Sequence, residues 1–227
     1  MTTGRRRHTA LVVAGVALLV AAPTAVAGTF IGDNTANSLT GTSAHDRIYA
    51  RGGDDTVAAG AGPDAVWGGT GKDTLNGEDG FDRLYGGADD DILNGGLGFD
   101  AEWGGTGNDT LAGNEGHDRL YGNAGDDAMD GAEGNDVMHG GTGNDTEQGG
   151  AGRDRMFAGP GTDSLSGGDG RDRLFAVADD GDVDTIECGA GRDVAFARAN
   201  DTVASDCEVV HRYAEGDPVD GESDDEG

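Results

Sequence analysis

An aspartate stands at every ninth position through most of this chain: Asp46, Asp55, Asp64, Asp73, Asp82, Asp91, Asp100, Asp109, Asp118, Asp127, Asp136, Asp145, Asp154, Asp163 and Asp172. With each aspartate placed sixth of nine, fifteen units run without a gap from Gly41 to Phe175, and Gly32 to Thr40 makes a degenerate further unit with Asn37 in the aspartate slot. Position four is Gly in thirteen of the fifteen units, and position eight is Ile, Val, Leu or Met in thirteen. Such a period is the mark of a repeat architecture in which each unit buries its apolar side chain only by stacking on its neighbours. The 45 glycines among 227 residues, with 5% aromatics, exclude a large conventional core and with it a compact α/β enzyme.

Each unit reads as a turn followed by a short strand. Glycines open backbone angles closed to other residues and let carbonyls crowd together, and the last three residues alternate outward, inward, outward as a strand does. Two units make one coil of 18 residues. Coils stacked at the usual strand spacing of about 4.8 Å build two parallel sheets, an all-β solenoid.

The units Gly68-Gly69-Thr70-Gly71-Lys72-Asp73-Thr74-Leu75-Asn76 and Gly104-Gly105-Thr106-Gly107-Asn108-Asp109-Thr110-Leu111-Ala112 spell Gly-Gly-x-Gly-x-Asp-x-apolar-x in full. That pattern resembles the calcium-binding nonapeptide of the RTX, or haemolysin-type, repeat family. The resemblance implies a right-handed parallel β-roll with Ca2+ held between successive turns on each edge. The implied ligands are the fifteen aspartates named above and turn carbonyls such as those of Gly68, Gly69, Gly71, Gly104, Gly105 and Gly107. Oxygen-only ligands in a flexible turn suit calcium over zinc or copper; His45, His117, His139 and His211 fall at unrelated positions, and no Cys-x-x-Cys pair occurs. Many relatives carry an enzyme or pore-forming domain ahead of the repeats. Here repeat and cap take up nearly all the length after the leader, so no enzyme is expected, and a haemolysin-like lytic factor stands as the last of the alternatives.

The formal charge of −29 argues against a nucleic-acid partner, which needs a basic footprint, and points to cations. Aspartates 18 residues apart share an edge in neighbouring coils: eight lie on one edge and seven on the other, leaving at most about thirteen inter-turn sites. Two carboxylates about 5 Å apart repel by roughly 3 kcal/mol at an effective dielectric near 20. The expectation is a chain disordered without the ion that folds as calcium binds.

Position nine alternates in character. Tyr49, Trp67, Tyr85, Trp103, Tyr121, His139, Phe157 and Phe175 recur every 18 residues on one sheet, and Arg47, Arg83, Arg119, Arg155 and Arg173 occupy position seven beside them. The column either stabilises its sheet by cross-strand and cation–π contacts or forms an apolar stripe that binds a polysaccharide or protein partner. Glu102 and Glu147 interrupt the apolar series at position eight and are expected to turn to solvent or to an ion.

At the N-terminus Arg5, Arg6 and Arg7, the apolar run from Ala10 to Ala22, and Ala25-Val26-Ala27 read as a cleavable export signal over residues 1–27. The run is too short to span a bilayer, so no membrane span is expected. The roll then covers 28–175. Residues 176–213 read as a degenerate-repeat C-terminal cap, and 214–227 as an acidic disordered tail. Cys188 and Cys207 are 19 apart, nearly one coil, which stacks them at disulfide distance in an exported chain. The expected protein is secreted and extracellular, a calcium-binding structural or surface-interaction module; the alternative is a carbohydrate-binding or adhesive protein using the aromatic sheet.

Overall fold

The computed structural model describes residues 11–12, 26–178, 180–214 and 216. The expected signal segment lies almost wholly outside the described residues, as does all of the acidic tail except 214 and 216. The fold is an all-β parallel solenoid of about 10 coils spaced about 18 residues apart. Among the described residues there is no helix, and so none long and apolar enough to cross a membrane.

Two sheets face each other. The first takes the strands Arg47–Gly52, Ala65–Thr70, Arg83–Ala88, Ala101–Thr106, Arg119–Ala124 and Val137–Thr142, with their continuations at both ends. The second takes Thr56–Ala61, Thr74–Gly80, Ile92–Gly98, Thr110–Gly116 and their continuations. Pairing is parallel throughout and from Thr29 to Phe175 keeps the 18-residue register, as in Tyr49 with Trp67, Trp67 with Tyr85, and Leu75 with Leu93. Strict alternation then sends every position-eight side chain inward. Ile48, Val66, Leu84, Leu120, Met138, Met156 and Leu174 from the first sheet meet Val57, Leu75, Leu93, Leu111, Met129 and Leu165 from the second in one narrow core.

Glu102 and Glu147 follow the same rule, which corrects the expectation that they would turn to solvent. Glu102 pairs in register with Leu84 and Leu120, Glu147 with Met129 and Leu165, and both are fully buried. Turning one residue outward would turn its whole strand over, because side-chain direction has period two.

Both sheets run on past Phe175. Thr185–Glu187 and Thr202–Val203 extend the second, and Val194–Arg198 and Val209–Tyr213 extend the first. Three extra residues ahead of Asp184 lengthen one coil, and the pairing of Leu165 with Ile186 and Leu174 with Ala195 shows the register restored at a spacing of 21. The Cys188–Cys207 disulfide joins neighbouring coils there, with Cα atoms 5.1 Å apart. Arg198, largely buried, donates to the carbonyls of Val177 and Ala214 and ties down the last coil.

Candidate metal centre

Along each edge the aspartates form a continuous hydrogen-bonded column. One carboxylate oxygen, Oδ1, accepts the backbone N–H of the aspartate one coil earlier: Asp64 from Asp46 at 2.6 Å, Asp82 from Asp64 at 2.7 Å, Asp127 from Asp109 at 2.7 Å, Asp154 from Asp136 at 2.8 Å. The coil spacing therefore carries its own side-chain ladder beside the sheet ladder. It survives the change of register: Asp184 accepts from Asp163, Asp193 from Asp172, Asp201 from Asp184, and Glu208 closes the series by accepting from Asp193. These four cap residues were not among the expected site residues. The signal was present in Asp184 and Asp193, which keep the nine-residue spacing after a three-residue shift.

The other oxygen, Oδ2, has no partner. From Asp55 to Asp172 every aspartate of the series leaves its Oδ2 buried and without a hydrogen bond, and so does Asp193. Asp46, at the first complete unit, differs: its Oδ2 accepts from the backbone N–H and the hydroxyl of Thr42. A buried carboxylate oxygen left unpaired is costly, and a run of them marks a place for something that neutralises charge.

In the units that begin with glycine, Oδ2 packs close against that first glycine. A methyl group built at Gly131 would lie 2.6 Å from Asp136 Oδ2 and 2.7 Å from the carbonyl oxygen of Gly149, one coil on. At Gly77 the corresponding atoms are Asp82 Oδ2 at 2.6 Å and the Gly95 carbonyl oxygen at 2.5 Å. Glycine is thus favoured at position one, because a carboxylate and a carbonyl oxygen converge where a side chain would begin. Of the expected carbonyl ligands, that of Gly104 joins Asp91 in such a cradle, whereas those of Gly69 and Gly107 press along the solenoid axis against the α-carbons of Gly87 and Gly125. Ala50, Ala59 and Ala158 occupy position one in three units and place a buried methyl there instead.

Burial pushes these carboxyls up against the opposing effect of the amide that each accepts. Asp55, Asp100, Asp109, Asp145 and Asp154 reach about 6, Asp64, Asp91, Asp136 and Asp163 about 7, and Asp82 about 8. Neighbouring aspartates of the same column raise several of them further. Among the described residues no three His, Cys, Asp or Glu side chains converge on one point. A cation here would be held by one aspartate together with turn carbonyls, a donor set of oxygens alone that fits a hard ion such as Ca2+.

The aromatic column on the first sheet is continuous and longer than expected. Ring follows ring from Tyr49 through Trp67, Tyr85, Trp103, Tyr121, His139, Phe157 and Phe175 to Phe196 and His211, with centroids 4.5 to 5.5 Å apart and planes within 15° of parallel. Arg155 lies over Phe157 and Arg173 over Phe175 and Phe196. A second, shorter stack of Phe81, Phe99 and His117 runs along the turns of one edge, with both phenylalanines more than half exposed.

A parallel solenoid with a row of buried, half-satisfied aspartates along each edge defines a class of repeat proteins built around cations. The family model for the RTX calcium-binding nonapeptide repeat matches four times, over residues 31–66, 67–101, 103–138 and 139–174, and the chain belongs to that family. It is a calcium-binding repeat protein. No match was found among curated proteins.

Proposed function

We propose that this chain is a secreted protein whose repeats fold around Ca2+ and then serve as an extracellular structural or surface-interaction module. The observation that carries the reading is the row of buried Oδ2 atoms without partners, from Asp55 to Asp172. The ligands would be these aspartates together with position-one carbonyls such as those of Gly95, Gly104 and Gly149, and the ion would supply the positive charge that the interior lacks. The ion pair between Lys72 and Asp90 lies on the surface, away from these buried oxygens. Export through a leader at residues 1–27 puts the chain where calcium is abundant and where a disulfide persists.

The aromatic column fits a structural role better than a sugar platform. Polysaccharide recognition by aromatics uses ring faces, and here the faces are covered by the next ring up and down, leaving edges to solvent. A partner protein reading the ring edges and the flanking arginines remains the alternative use of that sheet.

Circular dichroism tests the central claim. In a metal-stripped buffer at neutral pH the chain should lack β-signal and gain it on adding millimolar Ca2+. An equally strong β-signal in chelator and in calcium would defeat the proposal.

A further inference from the structure

Glu102 and Glu147 stand where the repeat asks for an apolar side chain. Both are buried, at 0% and 1% exposure, and none of their four carboxylate oxygens has a hydrogen bond of full geometry, the amides that face them being those of Gly95 and Ala112 at Glu102 and of Gly140 at Glu147. An unpaired buried carboxylate is among the more costly features a core can contain. In columns otherwise filled by isoleucine, valine, leucine and methionine, nothing about packing asks for it.

Each stands two residues after the aspartate of its own unit. Position six and position eight point to the same side of the strand, so Glu102 lies beside Asp100 and Glu147 beside Asp145. A methyl group built at Gly95 would lie 2.7 Å from Asp100 Oδ2 and 2.8 Å from Glu102 Oε1, so the two carboxylates open into one cradle. Glu147 occupies the equivalent sequence position in the unit that begins at Gly140, where the nearest atoms to a built methyl are Asp145 Oδ2 and the Ala158 carbonyl oxygen and the Gly140 amide faces the glutamate. Asp118 and Asp163, one coil on, add further negative charge near the two glutamates.

We propose that Glu102 and Glu147 are calcium ligands, converting two of the repeat cradles, one on each edge, into sites with two carboxylates from a single unit. Because no three acidic side chains meet at one point among the described residues, each site joins that pair to turn carbonyls. The inference rests on the reading of the aspartate columns as calcium sites and deepens it. Affinity for Ca2+ rises with the number of charged ligands, so these two sites load first, and ordering of the roll begins from the coils that carry them.

The test uses the full chain and the substitutions Glu102→Leu and Glu147→Leu, which restore the residue the repeat itself prefers. Titration of metal-stripped protein with Ca2+, followed by calorimetry and by the β-signal, should show that the tightest binding phase is lost and that the folding midpoint moves to about tenfold higher calcium. If the glutamates were merely misplaced acids, leucine would improve the core, and a midpoint unchanged or at lower calcium overturns the proposal. Anomalous scattering from crystals of the calcium-loaded wild-type chain gives an answer that does not depend on any variant. Calcium within about 2.6 Å of a Glu102 or Glu147 oxygen supports the assignment, and its absence from both overturns it. Failure of the wild-type chain to gain β-signal with calcium would instead sink the reading on which the inference rests.

Discussion

At the scale of single residues, the position-one glycines show how a small side chain can be a functional one. Gly131 lies where two oxygens from different coils converge, and any side chain there meets both. Gly131→Ala, which gives this unit the alanine that Ala50, Ala59 and Ala158 supply in three others, is expected to weaken calcium binding at one cradle and to weaken the folded, calcium-loaded roll by about 1 to 3 kcal/mol, from crowding. Urea unfolding in saturating calcium, with calcium binding followed by calorimetry, measures both effects. Unchanged binding and stability would mean that the cradle is not the site. The preference for glycine was legible in the sequence as a property of turns. Its second cause was not, because the oxygen it faces belongs to a residue 18 positions away, and only the stacked coils bring the two together. The same limit explains Glu102 and Glu147. A one-unit reading lets an acidic side chain swing outward, whereas a strand paired on both sides fixes its direction.

At the scale of elements, the two sheets were legible from the period alone, since a nine-residue unit with one inward apolar position leaves few ways to stack. The aromatic column was legible as far as Phe175 and lost afterwards. Phe196 and His211 continue it, but a three-residue insertion and shortened coils hide them from a count of eighteen. The stack of Phe81, Phe99 and His117 was missed for another reason: position five of the unit is variable across the chain, and three adjacent rings there stand out only when one edge is read by itself. Trp67 stacks on Tyr49 at 4.5 Å and on Tyr85 at 5.5 Å, so Trp67→Ala removes two ring pairs. The expected loss is about 1 to 3 kcal/mol in the calcium-loaded form, with the number of bound ions unchanged, as read by chemical denaturation and calorimetry. A variant of full stability that had lost a partner would shift the column from scaffold to recognition surface.

For the molecule as a whole, the buried aspartates link folding to protons as well as to calcium. Their carboxyls rise in the folded chain from an ordinary value of 3.8 to about 6 at Asp100, about 7 at Asp91 and about 8 at Asp82. A group raised in this way favours the folded state fully below its unfolded value, and that contribution disappears as pH climbs through its folded value. Without metal, the roll should therefore be most stable near pH 4 and lose structure between about pH 6 and 8, the range in which calcium takes over. Circular dichroism of metal-free protein from pH 3.5 to 8.5 checks this; a chain equally unstructured at both ends of that range would show that protonation cannot replace the ion. In calcium, the sign reverses: protons compete with the metal, and the calcium midpoint should rise as pH falls from 8 to 6.

The constant register has one more consequence, in cartography. Where pairing steps by 18 residues without exception, as from Thr29–Ile31 through Val137–Thr142, the remainder of a residue number on division by 18 gives its longitude around the roll. The quotient gives its height, in steps of about 4.8 Å. The linear sequence is thus a chart wrapped on a cylinder, and any side chain can be addressed to a chosen meridian and level by its number alone.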